Sequence, residues 1–406
     1  MLPYAGNEFQ TFINNNTMIA RHIAAVLTVA ALSLTSACRG TDPVNPSQKG
    51  DAGKEDVVQY PGMFLLNEGN MGSNKCTLDY YDYKDGFYCR NIFPGQNKDD
   101  GSVTIIGDSG NDLQAYGNRL YAVVNGSHLI EVMNLVTAGH LGSVSVPNCR
   151  YIAFNDRYAY VSSYAGLDAE DPASILGCVF KIDTASLRIT DTCVVGYQPE
   201  ELAVCGDRMY VANSGGYRYN SGDYDTRVSV IDLNTFEEIR QIEVAPNLHR
   251  VKADSYGYIW VSSRGNYVDQ PSRLFAIDSH TDKVVDSFDI STADMTVCGD
   301  SLYVYGSEWS NETMSFATSW SVISLKTHKK VSDKIITDGT DSRIVSIYGI
   351  AVNPETREIF VTDAKDYMTP GEVFCYSNDG RLKWTQRTGD IPSRIVFSHS
   401  RCNILQ

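Results

Sequence analysis

The chain has 406 residues, with 49 acidic against 34 basic side chains and a net charge of −15. That balance disfavours nucleic acid and anionic membrane surfaces as partners, because like charges repel on approach. Ten cysteines in this length are too sparse for a small disulfide-stapled fold.

The first segment reads as an address. Arg21 and His22 precede an apolar run at 23–34, which suits the core of a signal peptide and is shorter than the ~20 residues of a spanning helix. Residues 1–37 are therefore expected to be a signal peptide, with Met18 as an alternative start. The run ends in Leu32-Ser33-Leu34-Thr35-Ser36-Ala37-Cys38, which resembles a bacterial lipobox and makes Cys38 the expected lipidation site. Residues 38–59, rich in Gly, Asp, Pro, Ser and Lys, read as a flexible tether. The folded domain is expected over 60–406.

From there one unit recurs. A short apolar strand, a Gly/Asp/Asn turn and a second strand with an aromatic give Met63-Phe64-Leu65, Leu120-Tyr121-Ala122, Ala159-Tyr160-Val161, Met209-Tyr210-Val211, Ile259-Trp260-Val261, Leu302-Tyr303-Val304 and Ile359-Phe360-Val361. The aromatic intervals are 57, 39, 50, 50, 43 and 57 residues, the spacing of propeller blades. Downstream of each lies a second hairpin, as in Val230-Ile231-Asp232-Leu233-Asn234-Thr235 and its counterparts at Asp183 and Asp278. There the short Asp side chain is expected to bond the backbone of its turn. Two hairpins per unit predict an all-β, seven-bladed β-propeller.

The last unit is split. The stretch from Ile391 to Phe397 matches the first strand of a blade, and its hairpin partner is Gly62 to Asn67 at the other end of the chain. The terminal blade is therefore expected to be closed by N- and C-terminal strands, which removes free sheet edges. A strand at 102–106 would make an eighth blade, and six also stays open. The recurrent aromatics are expected in the core. Cys205 and Cys298 share one slot and read as buried apolar residues, while a cross-strand disulfide between Cys178 and Cys193 stays open.

Loops joining second to third strands are long and aromatic, while the opposite turns are tight, so function is expected on the long-loop face. Candidate ligand-binding residues there are Asn67, Glu68, Asn125, His128, Tyr164, Asn213, Tyr217, Tyr219, His249, Arg264, Tyr267, Trp309, Asp363 and Tyr367. Tyr and Trp offer rigid area with a polar tip, and Asn, Asp and Arg offer directed hydrogen bonds, a combination suited to a broad, flat, polar ligand. No nucleophile elbow, metalloprotease or phosphate-loop pattern occurs, so no catalytic residue, metal or cofactor is expected. An enzyme reading, lactonase- or lyase-like, would rest on His128, His249, Glu68 and Glu308. The acidic stretches at 168–171 and 223–225 lack calcium-loop spacing and read as solvated charge.

The opening Phe64-Leu65-Leu66-Asn67-Glu68-Gly69-Asn70, the Tyr-Val and Ile-Asp units and the late Val361-Thr362-Asp363-Ala364-Lys365-Asp366-Tyr367 resemble the YVTN-type, surface-layer-like propeller lipoproteins of gut Gram-negative bacteria. The resemblance covers about Tyr60 to His399. It implies an outer-membrane lipoprotein at the cell surface. In some members it implies capture of a corrinoid (vitamin B12 and relatives) above a TonB-dependent transporter. A glycan-binding or protein-interaction propeller is the alternative.

Overall fold

The aromatic-Val segments are the second strands of seven sheets, and they are buried along nearly their whole length. Tyr121, Tyr160, Tyr210, Trp260 and Phe360 are all enclosed, and Tyr303 is half-buried. A strand normally buries one face, but these are covered on both because each sheet is stacked between two neighbours. Alternation survives on outermost strands such as His140–Ser145 and Glu237–Glu243, where one face meets water.

The computed structural model describes residues 41–43, 59–98, 103–166, 170–310 and 315–404. Cys38 and the signal segment lie outside the described residues. Blade one runs through Gly110–Tyr116, Arg119–Val124, Leu129–Asn134 and His140–Ser145. Blades two to six repeat the antiparallel order from first strands Cys149–Asn155, Pro199–Cys205, Leu248–Ala253, Asp294–Cys298 and Ile347–Val352.

Blade seven begins with Pro392–Ser398 and continues with Gly62–Asn67, Thr77–Asp82 and Phe87–Cys89. Its closure pairs Met63 with Phe397 and Leu65 with Ile395. Thr41–Pro43, within the stretch read as a tether, adds an outer strand against Phe87–Cys89. Residues 103–106 form no strand, so the count is seven. The seven first strands touch in ring order and surround a central bore.

The expected turn chemistry is present. Asp183 Oδ1 accepts the backbone N–H groups of Ala185 and Ser186, and Asp232 Oδ1 those of Asn234 and Thr235. The bond from the Ser186 backbone, helped by Arg157 and the Ser186 hydroxyl, holds the Asp183 carboxyl down at about 2. Asp232 and Asp278 are lowered by the same kind of bond.

A carboxylate lowered by folding stabilises the fold fully above its unfolded value of ~3.9. That contribution drains as pH falls towards the folded value. Melting temperature should therefore drop between pH 4 and 2, and Asp183→Asn, which keeps the acceptor and loses the charge, should flatten that limb. Parallel curves for variant and parent would refute the assignment.

Cysteines 76, 149, 178, 193, 205, 298, 375 and 402 are free thiols. Strand register sets Cys193 opposite Val179 and Cys178 opposite Val194, so the two side chains project to opposite faces of the sheet and are not placed to form a disulfide. Cys298 is buried as expected, but Arg357 Nη1 approaches its sulfur at 2.8 Å. Cys205 is half-buried.

Candidate functional site

The face bearing the second-to-third-strand loops is built from two repeated devices. The first is a turn that presents a tyrosine and an apolar residue to solvent. In blade four, Asn266 Oδ1 accepts the N–H groups of Val268, Asp269 and Gln270. In blade six, Asp366 Oδ1 accepts those of Met368 and Thr369. These bonds hold Tyr267 and Tyr367 at φ 59 and 62, a left-handed backbone that costs a side-chain-bearing residue roughly 1–2 kcal/mol. Tyr267 is 72% exposed and Val268 89%; Tyr367 is 43% exposed and Met368 71%. Strained backbone that holds large apolar groups in water points to a contact surface.

The second device is the ring of first strands. One register carries Asp112, Tyr151, Glu201, Arg250, Asp294, Gly349 and Arg394, each just before the packed apolar residue of its strand. One residue nearer the face stand Arg150, Glu200, His249 and Tyr348. These side chains cross the bore. Arg250 Nη1 of blade four donates to Tyr151 Oη of blade two at 2.7 Å, and Arg394 Nη1 of blade seven donates to Asp294 Oδ2 of blade five at 2.8 Å. The guanidiniums of Arg250 and Arg394 lie 5.3 and 5.6 Å from the Tyr151 ring centre. The bore is therefore a funnel with a floor.

One wall of the funnel joins blades two to four. Glu200 accepts from Tyr164 Oη at 2.6 Å and from Arg150 Nη2 at 3.2 Å, and Arg264 Nη1 stands 3.7 Å from it. Burial pushes the Glu200 carboxyl up, but Arg150 and Arg264 outweigh it and hold the group below its ordinary value. Arg264 Nη2 also donates to His249 Nε2 at 2.8 Å. Burial, then the surrounding arginines, keep His249 neutral. On the other wall Tyr348 Oη donates to Glu68 Oε2 at 2.6 Å, and burial raises the Glu68 carboxyl.

Beside the first wall, a cleft of about 820 Å³ opens between blades two and three, lined by Asp171, Tyr197, Tyr217, Arg218, Tyr219 and Asn220 among others. Tyr217 meets Tyr164 edge-on at 5.3 Å, which joins the cleft to the funnel wall.

A family profile described as "Domain of unknown function (DUF5074)" matches residues 61–380. The chain belongs to the DUF5074 family. No curated protein matches it. Among solved structures it is similar to a quinonprotein alcohol dehydrogenase-like protein of Bacteroides thetaiotaomicron, with 16% identity and a TM-score of 0.58 over 83% of this chain and 78% of that one. It is also similar to the hydrazine synthase of Kuenenia stuttgartiensis, with 18% identity and a TM-score of 0.50 over 65% and 74%. At these identities the likeness carries the fold alone.

The DUF5074 propeller brings only part of the expected set to the funnel. Glu68, Tyr164, His249, Arg264 and Tyr367 line it or its rim, and Tyr217, Tyr219 and Tyr267 stand on the exposed loops. Asn67, Asn125, Asn213 and Asp363 are buried, and the last three hold backbone. Asn125 Nδ2 donates to Cys149 O, Asn213 Nδ2 to Arg227 O, and Asp363 accepts the N–H groups of Val345, Ser346 and Lys365. Asn67 Nδ2 donates to Thr77 Oγ1. Asn125, Asn213 and Asp363 sit where a strand ends and a neighbouring backbone needs a partner, so recurrence there serves the fold.

His128, at φ 56, accepts from Asn148 N. Glu308 is exposed on strand Ser301–Ser310. Trp309 lies on the same strand, and its side chain is outside the described residues. Among the described residues no group of three or more His, Cys, Asp and Glu is placed to hold a metal ion.

Sequence reasoning missed Arg150, Tyr151, Glu200, Arg250, Asp294, Tyr348 and Arg394. Their signal was available in the seven aligned first strands, as the polar position that changes identity from blade to blade.

Proposed function

We propose that this DUF5074 protein captures a flat, polar small molecule on its funnel face, and that the molecule is a corrinoid. In this reading the chain is a lipoprotein held at the outer membrane through Cys38, passing its cargo to a TonB-dependent transporter. The observation that carries the proposal is the pair of Tyr-apolar turns of blades four and six, which hold Tyr267, Val268, Tyr367 and Met368 in water on strained backbone. Rigid aromatics lose little entropy on binding, so they suit a wide planar ligand. The floored bore favours holding over conduction.

The cleft at Tyr197, Tyr217 and Tyr219, with Asn220 and Asp171 beside the rings, supports a glycan as the second reading, since sugars stack on aromatic faces and bond to amide and carboxylate groups.

Gel filtration of the full-length protein with cyanocobalamin, read in the visible, tests the first reading. One corrin per chain should co-elute with the protein. Absence of colour in the protein peak at micromolar protein would sink cobalamin capture and turn attention to a glycan array.

A further inference from the structure

On the funnel floor, guanidiniums share carboxylates, and some of their N–H groups are left without an acceptor. Asp294 serves both Arg250, with Nε 3.0 Å from Oδ1, and Arg394, with Nη1 2.8 Å from Oδ2. Glu200 likewise serves both Arg150 and Arg264. Each of these carboxylates therefore faces two guanidiniums.

Two further carboxylates face this cluster: Glu68, bonded by Tyr348 and raised by burial, opposite Arg150, Arg394 and Arg250, and Asp112. Asp112 Oδ1 is 3.6 Å from Arg394 Nε, its oxygens accept the N–H groups of Leu113 and Ile152, and burial raises its carboxyl. Lys252 and Glu201 neutralise each other at 2.7 Å.

Among the described residues, three buried nitrogens of this floor have no hydrogen-bond partner: His249 Nδ1, Arg250 Nε and Arg394 Nε. Arg250 Nε is close to Asp294 but lacks the geometry of a bond. Because Nε2 of His249 accepts from Arg264, the neutral ring carries its proton on Nδ1, a tautomer assigned from the network. All three are thus donors. A buried donor left unmade costs roughly 1–3 kcal/mol, and uncompensated buried cations cost more. These donors come from blades four and seven and gather around Tyr151, with the Arg250 and Arg394 guanidiniums 5.3 and 5.6 Å from its ring centre and His249 Nε2 3.2 Å from its hydroxyl.

We propose that the funnel floor is an oxyanion site, where a carboxylate or phosphate ester group of the captured molecule seats against His249 Nδ1, Arg250 and Arg394, with Arg264 on the open side. The inference rests on the funnel being the capture site and adds the chemical group that must point downward. Guanidinium and imidazole N–H groups left without acceptors select the oxyanion end of a ligand and so fix its orientation. Charge-assisted bonds of this kind are the strong ones.

The test uses inorganic phosphate as probe, titrated into the full-length protein by calorimetry and by thermal melting, with chloride holding ionic strength constant. Saturable binding of one phosphate per chain and a rise in melting temperature are expected. His249→Phe and Arg264→Gln should each weaken it by about tenfold or more, the loss of one charge-assisted bond. Arg264 has a side chain 35% exposed, and Glu200 keeps Arg150 in its absence. Arg264→Gln is therefore the informative variant should His249→Phe not fold.

A response no larger than the chloride control would mean that water alone fills the floor and would overturn the proposal, as would unchanged phosphate affinity in the folded variants. Cobalamin co-elution without a phosphate response would leave capture standing and the oxyanion site refuted. A phosphate response without co-elution would do the opposite.

Discussion

Asp294→Ala is expected to destabilise the protein by about 3–5 kcal/mol, the cost of breaking a buried ion pair from one side. The carboxylate is almost wholly enclosed and touches Arg250, Arg394 and the Met295 N–H. Burial alone would raise its pKa, but Arg250, Arg394 and Lys252 together hold it below the ordinary value. Without it, two guanidiniums from opposite sides of the ring repel each other in a desolvated bore. Urea denaturation measures the loss. A double variant, Asp294→Ala with Arg394→Met, should lose less than the sum of the single changes, with coupling above roughly 0.5 kcal/mol. A single-variant cost near zero would mean that the floor is solvated and not a network.

Gly265→Ala should abolish the rim while sparing the ring. Gly265 has φ +70, and a Cβ there would sit 1.9 Å from Gln270 O. Left-handed backbone costs an alanine roughly 1–2 kcal/mol, and overlap adds roughly 1–3 kcal/mol. The loop can escape that cost only by abandoning the Asn266 turn that presents Tyr267. Ligand affinity should then fall with proteolytic nicking confined to 264–271, while denaturant midpoints for the core change little. Intact affinity with an unchanged digest would show that the loop tolerates a side chain and that its strain is incidental.

The fold was legible because its determinants repeat. Phe64, Tyr121, Tyr160, Tyr210, Trp260, Tyr303 and Phe360 occupy the same slot between sheets in the seven blades, and a demand made seven times leaves a period in the chain. The same logic misdirected the search for the site. Asn125, Asn213 and Asp363 recur at strand ends among the candidate ligand-binding residues, yet recurrence there marks a backbone need those blades share. Gly196 packs against Asn213 and Gly389 against Asn67 in matching ways.

The proposed site lies where blades differ at a shared register, as with Tyr151, Arg250, Asp294 and Arg394, and periodicity is blind to a position that changes each time. The exposed tyrosines were readable from loop composition. Their left-handed backbone was not, because Asn266 and Asp366 reveal their turns only once the following N–H groups are placed.

The most direct test of funnel capture is a calorimetric titration of cyanocobalamin into the parent and three variants, Tyr267→Ala, Tyr367→Ala and Tyr256→Ala. Tyr256 is exposed on the opposite face, bonded to Asp300. Loss of base stacking on an aromatic costs roughly 1–3 kcal/mol, so each rim variant should weaken binding by about five- to a hundredfold while Tyr256→Ala matches the parent. Equal affinities across all four proteins, or a loss confined to Tyr256→Ala, would contradict capture on the funnel face.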